Sequence, residues 1–126
     1  MTQMNRMTHT VLVVEDEEEL REMMRDALEF NGYKVIAASD GQAALDAIAG
    51  LGRLERLCVV LLDLLMPGMN GWEFFEKMRA RPELANVPVV VHSSAATQAP
   101  QGVTRFLQKP VTLERLLSVV GELCQA

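Results

Sequence analysis

Three aliphatic runs constrain this chain more than anything else in it: Val11-Leu-Val-Val14, Leu57-Cys-Val-Val-Leu-Leu62 and Val89-Val-Val91. None alternates with polar residues, and none approaches the length needed to cross a bilayer. Short continuous runs of this kind suit strands buried on both faces, as in a parallel sheet with helices on either side. The run at 57–62 is the most continuously apolar and is expected at the centre of the sheet.

Helical patterns separate the runs. Leu20, Met23, Met24, Ala27 and Leu28 share a stripe within Glu18–Phe30, led by acidic residues and ended by Asn31-Gly32, all favourable to a helix. Residues 33–38 read as a second strand. Ser39-Asp-Gly41 offers a turn and cap for a helix carrying Ala44, Leu45 and Ile48. After a loop with Pro67 and Gly68, residues 71–81 form a helix with Trp72, Phe75 and Met78 on one face. Pro82 and Pro88 bracket another loop before Val89–Ser93. Arg105–Gln108 is a fifth strand, and residues 112–124 a last helix with Thr112 as its N-cap. Five strand–helix units predict an open parallel sheet with right-handed crossovers. Residues 94–104 carry little helical stripe and contain Pro100 and Gly102, so the fourth helix is expected to be short or irregular.

The length of 126 residues suits one domain. Its extent is expected to be 10–126, after a flexible leader at 1–9 that includes His9. Twelve basic against seventeen acidic residues give a net charge of −5, which argues against a nucleic-acid or anionic-membrane partner. No secretory leader or output domain is apparent, and the cytoplasm is the expected compartment. Cys58 and Cys124 lack metal-site spacing and read as reduced thiols.

In open α/β sheets, ligands bind beyond the carboxyl ends of the strands. Strand one ends in Glu15-Asp16, strand three in Asp63, strand four in Ser93 and strand five in Lys109-Pro110. Three carboxylates in one place repel unless a cation or proton joins them. Oxygen ligands without His or Cys suit Mg²⁺. With Lys109 offsetting charge and Ser93 donating a hydrogen bond, such a set suits phosphoryl transfer onto a carboxylate nucleophile.

The segments Val11-Leu-Val-Val-Glu-Asp-Glu17, Leu61-Leu-Asp-Leu-Leu-Met-Pro-Gly-Met-Asn-Gly71, Val89-Val-Val-His-Ser93 and Phe106-Leu-Gln-Lys-Pro110 resemble the response-regulator receiver domain of two-component signalling. The resemblance implies a doubly wound, flavodoxin-like α/β fold with five parallel strands in the order 2-1-3-4-5. It implies that a sensor histidine kinase or phosphotransfer protein phosphorylates Asp63. It further implies that Mg²⁺ is held by Glu15, Asp16, Asp63 and the backbone carbonyl of Leu65, with Lys109 as the family's lysine before a peptide bond that is often cis. Ser93 and Phe106 match the switch positions. Such a domain is a phosphoacceptor rather than an enzyme, and passes its signal to a downstream protein that the sequence does not identify. The oligomeric state stays open.

Several positions depart from the family pattern. Glu15 stands where Asp is commoner, and Ser94 where Ala is usual. Only sixteen residues run from Ser93 to Lys109, several fewer than usual. Leu65 and Ala95 occupy positions that influence water access, and neither can orient a water, so slow self-dephosphorylation is expected. His92, one residue before Ser93, is expected to point away from Ser93 as a structural histidine. A receiver-like module indifferent to phosphorylation is the alternative. A small-molecule phosphoryl-transfer enzyme is disfavoured by the lack of a Walker loop and of a second Asp after Asp63. A flavodoxin-like nucleotide binder is disfavoured because its first strand should open onto a phosphate-cradling loop, whereas Glu15 to Glu19 would repel phosphate without a metal.

Overall fold

The computed structural model describes residues 9–51, 56–94 and 99–124. Five parallel strands, β1 (His9–Val14), β2 (Lys34–Ala38), β3 (Arg56–Leu62), β4 (Val89–Ser93) and β5 (Arg105–Gln108), lie in the order β2-β1-β3-β4-β5. Helices α1 (Glu18–Phe30), α2 (Gly41–Ala49), α3 (Gly71–Arg79) and α4 (Leu113–Leu123) connect or follow them. The expected order 2-1-3-4-5 is the observed one, with β3 at the centre.

Two cores, one on each face of the sheet, follow from the period-two alternation of strand side chains. Leu12, Val14, Val60, Leu62, Val89 and Val91 pack with Phe74, Phe75 and Met78 under α2 and α3. Val11, Val13, Val59, Leu61, Val90 and Leu107 pack with Met24, Leu28, Leu116, Val119 and Val120 under α1 and α4. Because both faces are covered, the three central strands carry no polar residue over most of their length.

The caps foreseen at Asp40 and Thr112 are present: their side chains accept the backbone N–H groups of Ala43 and Arg115. A further capping box joins Asn70 and Glu73 at the start of α3. Between α3 and β4, Pro82–Leu84 forms a single 3-10 turn where the sequence suggested only a loop. The Arg79 guanidinium lies 4.8 Å from the Phe75 ring centroid. It donates to the carbonyls of Leu84, Ala85 and Val87 and, at 3.1 Å, of Gly102. One side chain thus ties α3 to the 3-10 turn and to the loop ahead of β5. Among the described residues no helix lies between β4 and β5, and the rest of the expected short fourth helix falls at 95–98, outside them.

Two expectations need correction. His9 is not in a leader: it opens β1 opposite Arg56 and is buried. Residues 1–8 lie outside the described residues. Cys58 and Cys124 are not free thiols but a disulfide spanning 66 residues, with Cα atoms 5.4 Å apart. The cause is a bulge. In the β1–β3 ladder Thr10 faces Leu57 and Val11 faces Val59, so Cys58 is the extra residue. Strict alternation would set Cys58 beside Val60 under α2 and α3. The bulge turns it to the Val59 side, where α4 ends at Cys124.

Candidate functional site

Each carboxyl strand end delivers its polar residue through backbone bonding. The Glu15 N–H donates to Ala38 O and the Asp63 N–H to Val14 O, both at 3.0 Å, continuing the ladder one residue past β1 and β3. Arg21, from the second turn of α1, donates to the Glu15 and Asp16 carbonyls at 2.9 and 3.4 Å. The Lys109 N–H reaches Ser93 O at 3.0 Å, and the Lys109–Pro110 bond is cis.

Glycine is required twice after Asp63. Gly68 takes a left-handed φ of 73° in the turn. At Gly71, the first residue of α3, a Cβ would stand 2.5 Å from Asp63 O and 2.6 Å from Leu64 Cα. Only a residue without a side chain lets α3 start this close to the Asp63 backbone.

The side chains converge accordingly. Glu15 is completely buried and Asp63 is 3% exposed, while Asp16 faces solvent. One carboxylate oxygen from each of the three lies within 4.8 Å of the others. Lys109 Nζ lies 2.9 Å from Glu15 Oε1 and 3.3 Å from Asp63 Oδ2. Glu15 Oε2 accepts the Glu17 N–H at 3.0 Å, and Asp63 Oδ1 accepts the Leu65 N–H at 3.2 Å. Burial raises the Glu15 pKa, the Glu17 N–H and Lys109 oppose the rise, and the neighbouring Asp63 charge adds to it. For Lys109, burial pulls the pKa down, but Glu15 and Asp63 outweigh it and hold the ammonium above its ordinary value.

The structure therefore brings Glu15, Asp16, Asp63 and Lys109 together. Ser93 is buried at the end of β4, and the Leu65 side chain is half exposed beside Asp63. Phe106 stands outward on β5, 38% exposed, so it is not a core residue. Ala95 lies outside the described residues.

Sequence reasoning missed the surroundings of His92. Its Nδ1 lies 3.5 Å from Glu15 Oε1 while the residue is 2% exposed. Burial, reinforced by the Lys109 charge, depresses its pKa to about 3, so a neutral imidazole meets the carboxylate. Alternation does turn His92 from Ser93, as expected. The signal overlooked was shared parity: Val11 and Val13, Leu61, Val90 and Leu107 all face α1 and α4. Continuing each strand by steps of two reaches Glu15, Asp63, His92 and Lys109.

A largely buried pocket, open at Asp16, that holds three carboxylates and one ammonium suits a hard divalent cation bound by oxygen, with no His or Cys in the group. The response regulator receiver domain family model matches residues 11–121. The chain is 35% identical over 114 residues to response regulator MprA of Mycolicibacterium vanbaalenii, an alignment covering 86% of this chain and 47% of that protein. It thus spans about half the length of the curated relatives it matches. Among solved structures, chemotaxis response regulator CheY4 of Vibrio cholerae superposes with a TM-score of 0.81 at 28% identity, covering 92% of this chain and 98% of the other. The receiver domain of hybrid histidine kinase CckA superposes at 0.75 with 32% identity, covering 92% and 99%.

Proposed function

The chain belongs to the response regulator receiver domain family, and on that premise we propose that it accepts a phosphoryl group on Asp63 from a sensor histidine kinase or phosphotransfer protein. The observation that carries this reading is the placement of Lys109 Nζ between the buried Glu15 and Asp63 carboxylates. In the transfer, the P–N bond of a phosphohistidine breaks as an Asp63 oxygen forms the new O–P bond. Glu15, Asp16, Asp63 and the Leu65 carbonyl would hold Mg²⁺, which when bound supplies positive charge against the phosphoryl oxygens. Lys109 would neutralise part of the same charge. Ser93 donates to a phosphoryl oxygen.

The acyl phosphate carries about −1.5 to −2 charges where the Asp63 carboxylate carried one. Ser93 and Lys109 gain a partner, and the outward Phe106 is the side chain whose burial would report the change. The result is a population shift between two packings that controls binding to a downstream protein. The compartment proposed is the cytoplasm; among the described residues no helix is long and apolar enough to cross a membrane. Neither Leu65 nor Ala95 carries a group to orient water, so loss of the phosphoryl group should be slow. A phosphoprotein lifetime of seconds would overturn that expectation.

Intact-mass analysis after incubation with acetyl phosphate and Mg²⁺ tests the main reading. One added phosphate is expected on the wild type and none on Asp63→Ala. Wild-type protein that takes no phosphate, and whose Trp72 fluorescence ignores beryllofluoride, would favour a phosphorylation-independent interaction module instead.

A further inference from the structure

Among the described residues, His92 is the buried ring at the carboxyl edge that phosphoryl transfer as described leaves without a task. Its Nε2 is buried and has no hydrogen-bond partner. Its Nδ1 faces Glu15 Oε1 at 3.5 Å. An ionised carboxylate can only accept, so the ring nitrogen that faces it is the one that carries the proton. The distance to Oε1 exceeds an ordinary N–H···O bond, so the contact is an orienting one rather than a full hydrogen bond.

Glu15 needs such a partner more than a shorter residue would. The extra methylene of Glu over Asp adds a rotatable bond that has to be held for the carboxylate to keep its aim. Its Oε2 is fixed by the Glu17 N–H. Its Oε1 is held by Lys109, the group that must turn to the phosphoryl oxygens when Asp63 is modified. Once Lys109 turns away, Nδ1 of His92 is the remaining side-chain donor facing Oε1 among the described residues. Carboxylates that bind cations depend on such outer partners for their aim.

We propose that His92 is a positioning residue of the cation site, its Nδ1–H orienting the Glu15 carboxylate independently of Lys109. This rests on the reading that Glu15 helps hold Mg²⁺.

Side-chain isosteres separate a donor from a space filler. Asn places its amide nitrogen near the position of Nδ1, Gln near that of Nε2, and Leu supplies neither. Mg²⁺ affinity, followed by Trp72 fluorescence, is expected to fall about tenfold or more in His92→Leu. It should return to within about twofold of wild type in His92→Asn and stay weak in His92→Gln. Equal affinities across the variants, or Asn as weak as Leu, would overturn the proposal. Should His92→Leu fail to fold, the Asn–Gln pair decides alone: equal affinity refutes, tighter binding by Asn supports. A second readout needs no metal. Ring ¹⁵N shifts of the metal-free wild type should show the proton on Nδ1, and a proton on Nε2 refutes the proposal. Wild type that binds no Mg²⁺ at all refutes the site reading with it, whereas wild-type binding with indifferent variants refutes the role of His92 alone.

Discussion

At the carboxyl end of the sheet, Glu15, Asp63 and Lys109 are brought together largely out of water, whereas at the amino end a disulfide joins β3 to the last turn of α4. The first end is held by charges whose balance answers to pH, to cations and, on the function proposed, to phosphorylation. The second is held by a covalent bond indifferent to all three. Buried polar atoms without partners occur at both: His9 Nδ1 and Thr10 Oγ1 at the amino end, His92 Nε2 at the other. The difference teaches that burial of polar groups is not what marks the functional edge. What marks it is the convergence of opposite charges from three strands on one point.

The comparison breaks most readily at the disulfide. The chain-entropy relation for a 66-residue separation gives about 4 kcal/mol. Reduction, or Cys124→Ser, should lower unfolding stability by up to that amount in denaturant titration while leaving the rate of acetyl phosphate labelling unchanged. A change in labelling rate would show that the two ends are coupled. At the opposite end, Gly71→Ala should cost about 1–3 kcal/mol, because its Cβ meets the backbone of Asp63 and Leu64 and the start of α3 must shift. Unlike loss of the disulfide, it should also slow labelling.

The pH response sharpens the contrast further. His92 has its pKa lowered from 6.5 to about 3 in the folded protein, so the unfolded chain binds the proton first. The His92 contribution to the stability of the metal-free protein should therefore be complete above pH 6.5 and be lost toward pH 3, by about 1.4 kcal/mol per pH unit. Glu15 works the other way, because its raised pKa favours proton uptake by the folded state. Urea midpoints at pH 7, 6 and 5 should decline in the wild type and decline less in His92→Asn. The smallest effect is local: Asn70→Ala removes one side of the capping box and should cost about 1 kcal/mol.

Most of the fold was legible because the core strands carry unbroken aliphatic runs and the helices carry caps. Asp40 and Thr112 announced their helices by type and position. The carboxyl-edge residues were legible for the same reason: a polar residue ending an apolar run has one place to go in a parallel sheet. What escaped depended on register and on distant contacts. Cys58 could be assigned to a face only with the bulge opposite Thr10 and Val11 in hand. His92 was judged against its neighbour Ser93, not against Glu15 two strands away. Arg79 gave no local sign that its guanidinium would reach Gly102 across 23 residues. Phe74, fully buried in α3, was passed over for the Trp72, Phe75 and Met78 stripe.

The ammonium of Lys109 pairs with two of the three carboxylates, Glu15 and Asp63, so by formal count these four groups stand two positive charges short of neutral. One divalent ion closes that shortfall and one monovalent ion does not. A proton on Glu15, whose carboxyl burial already favours in the neutral form, fills part of the same deficit. Protons and divalent ions are therefore competitors for this pocket, and mild acid should displace the metal with no change in the residues that hold it.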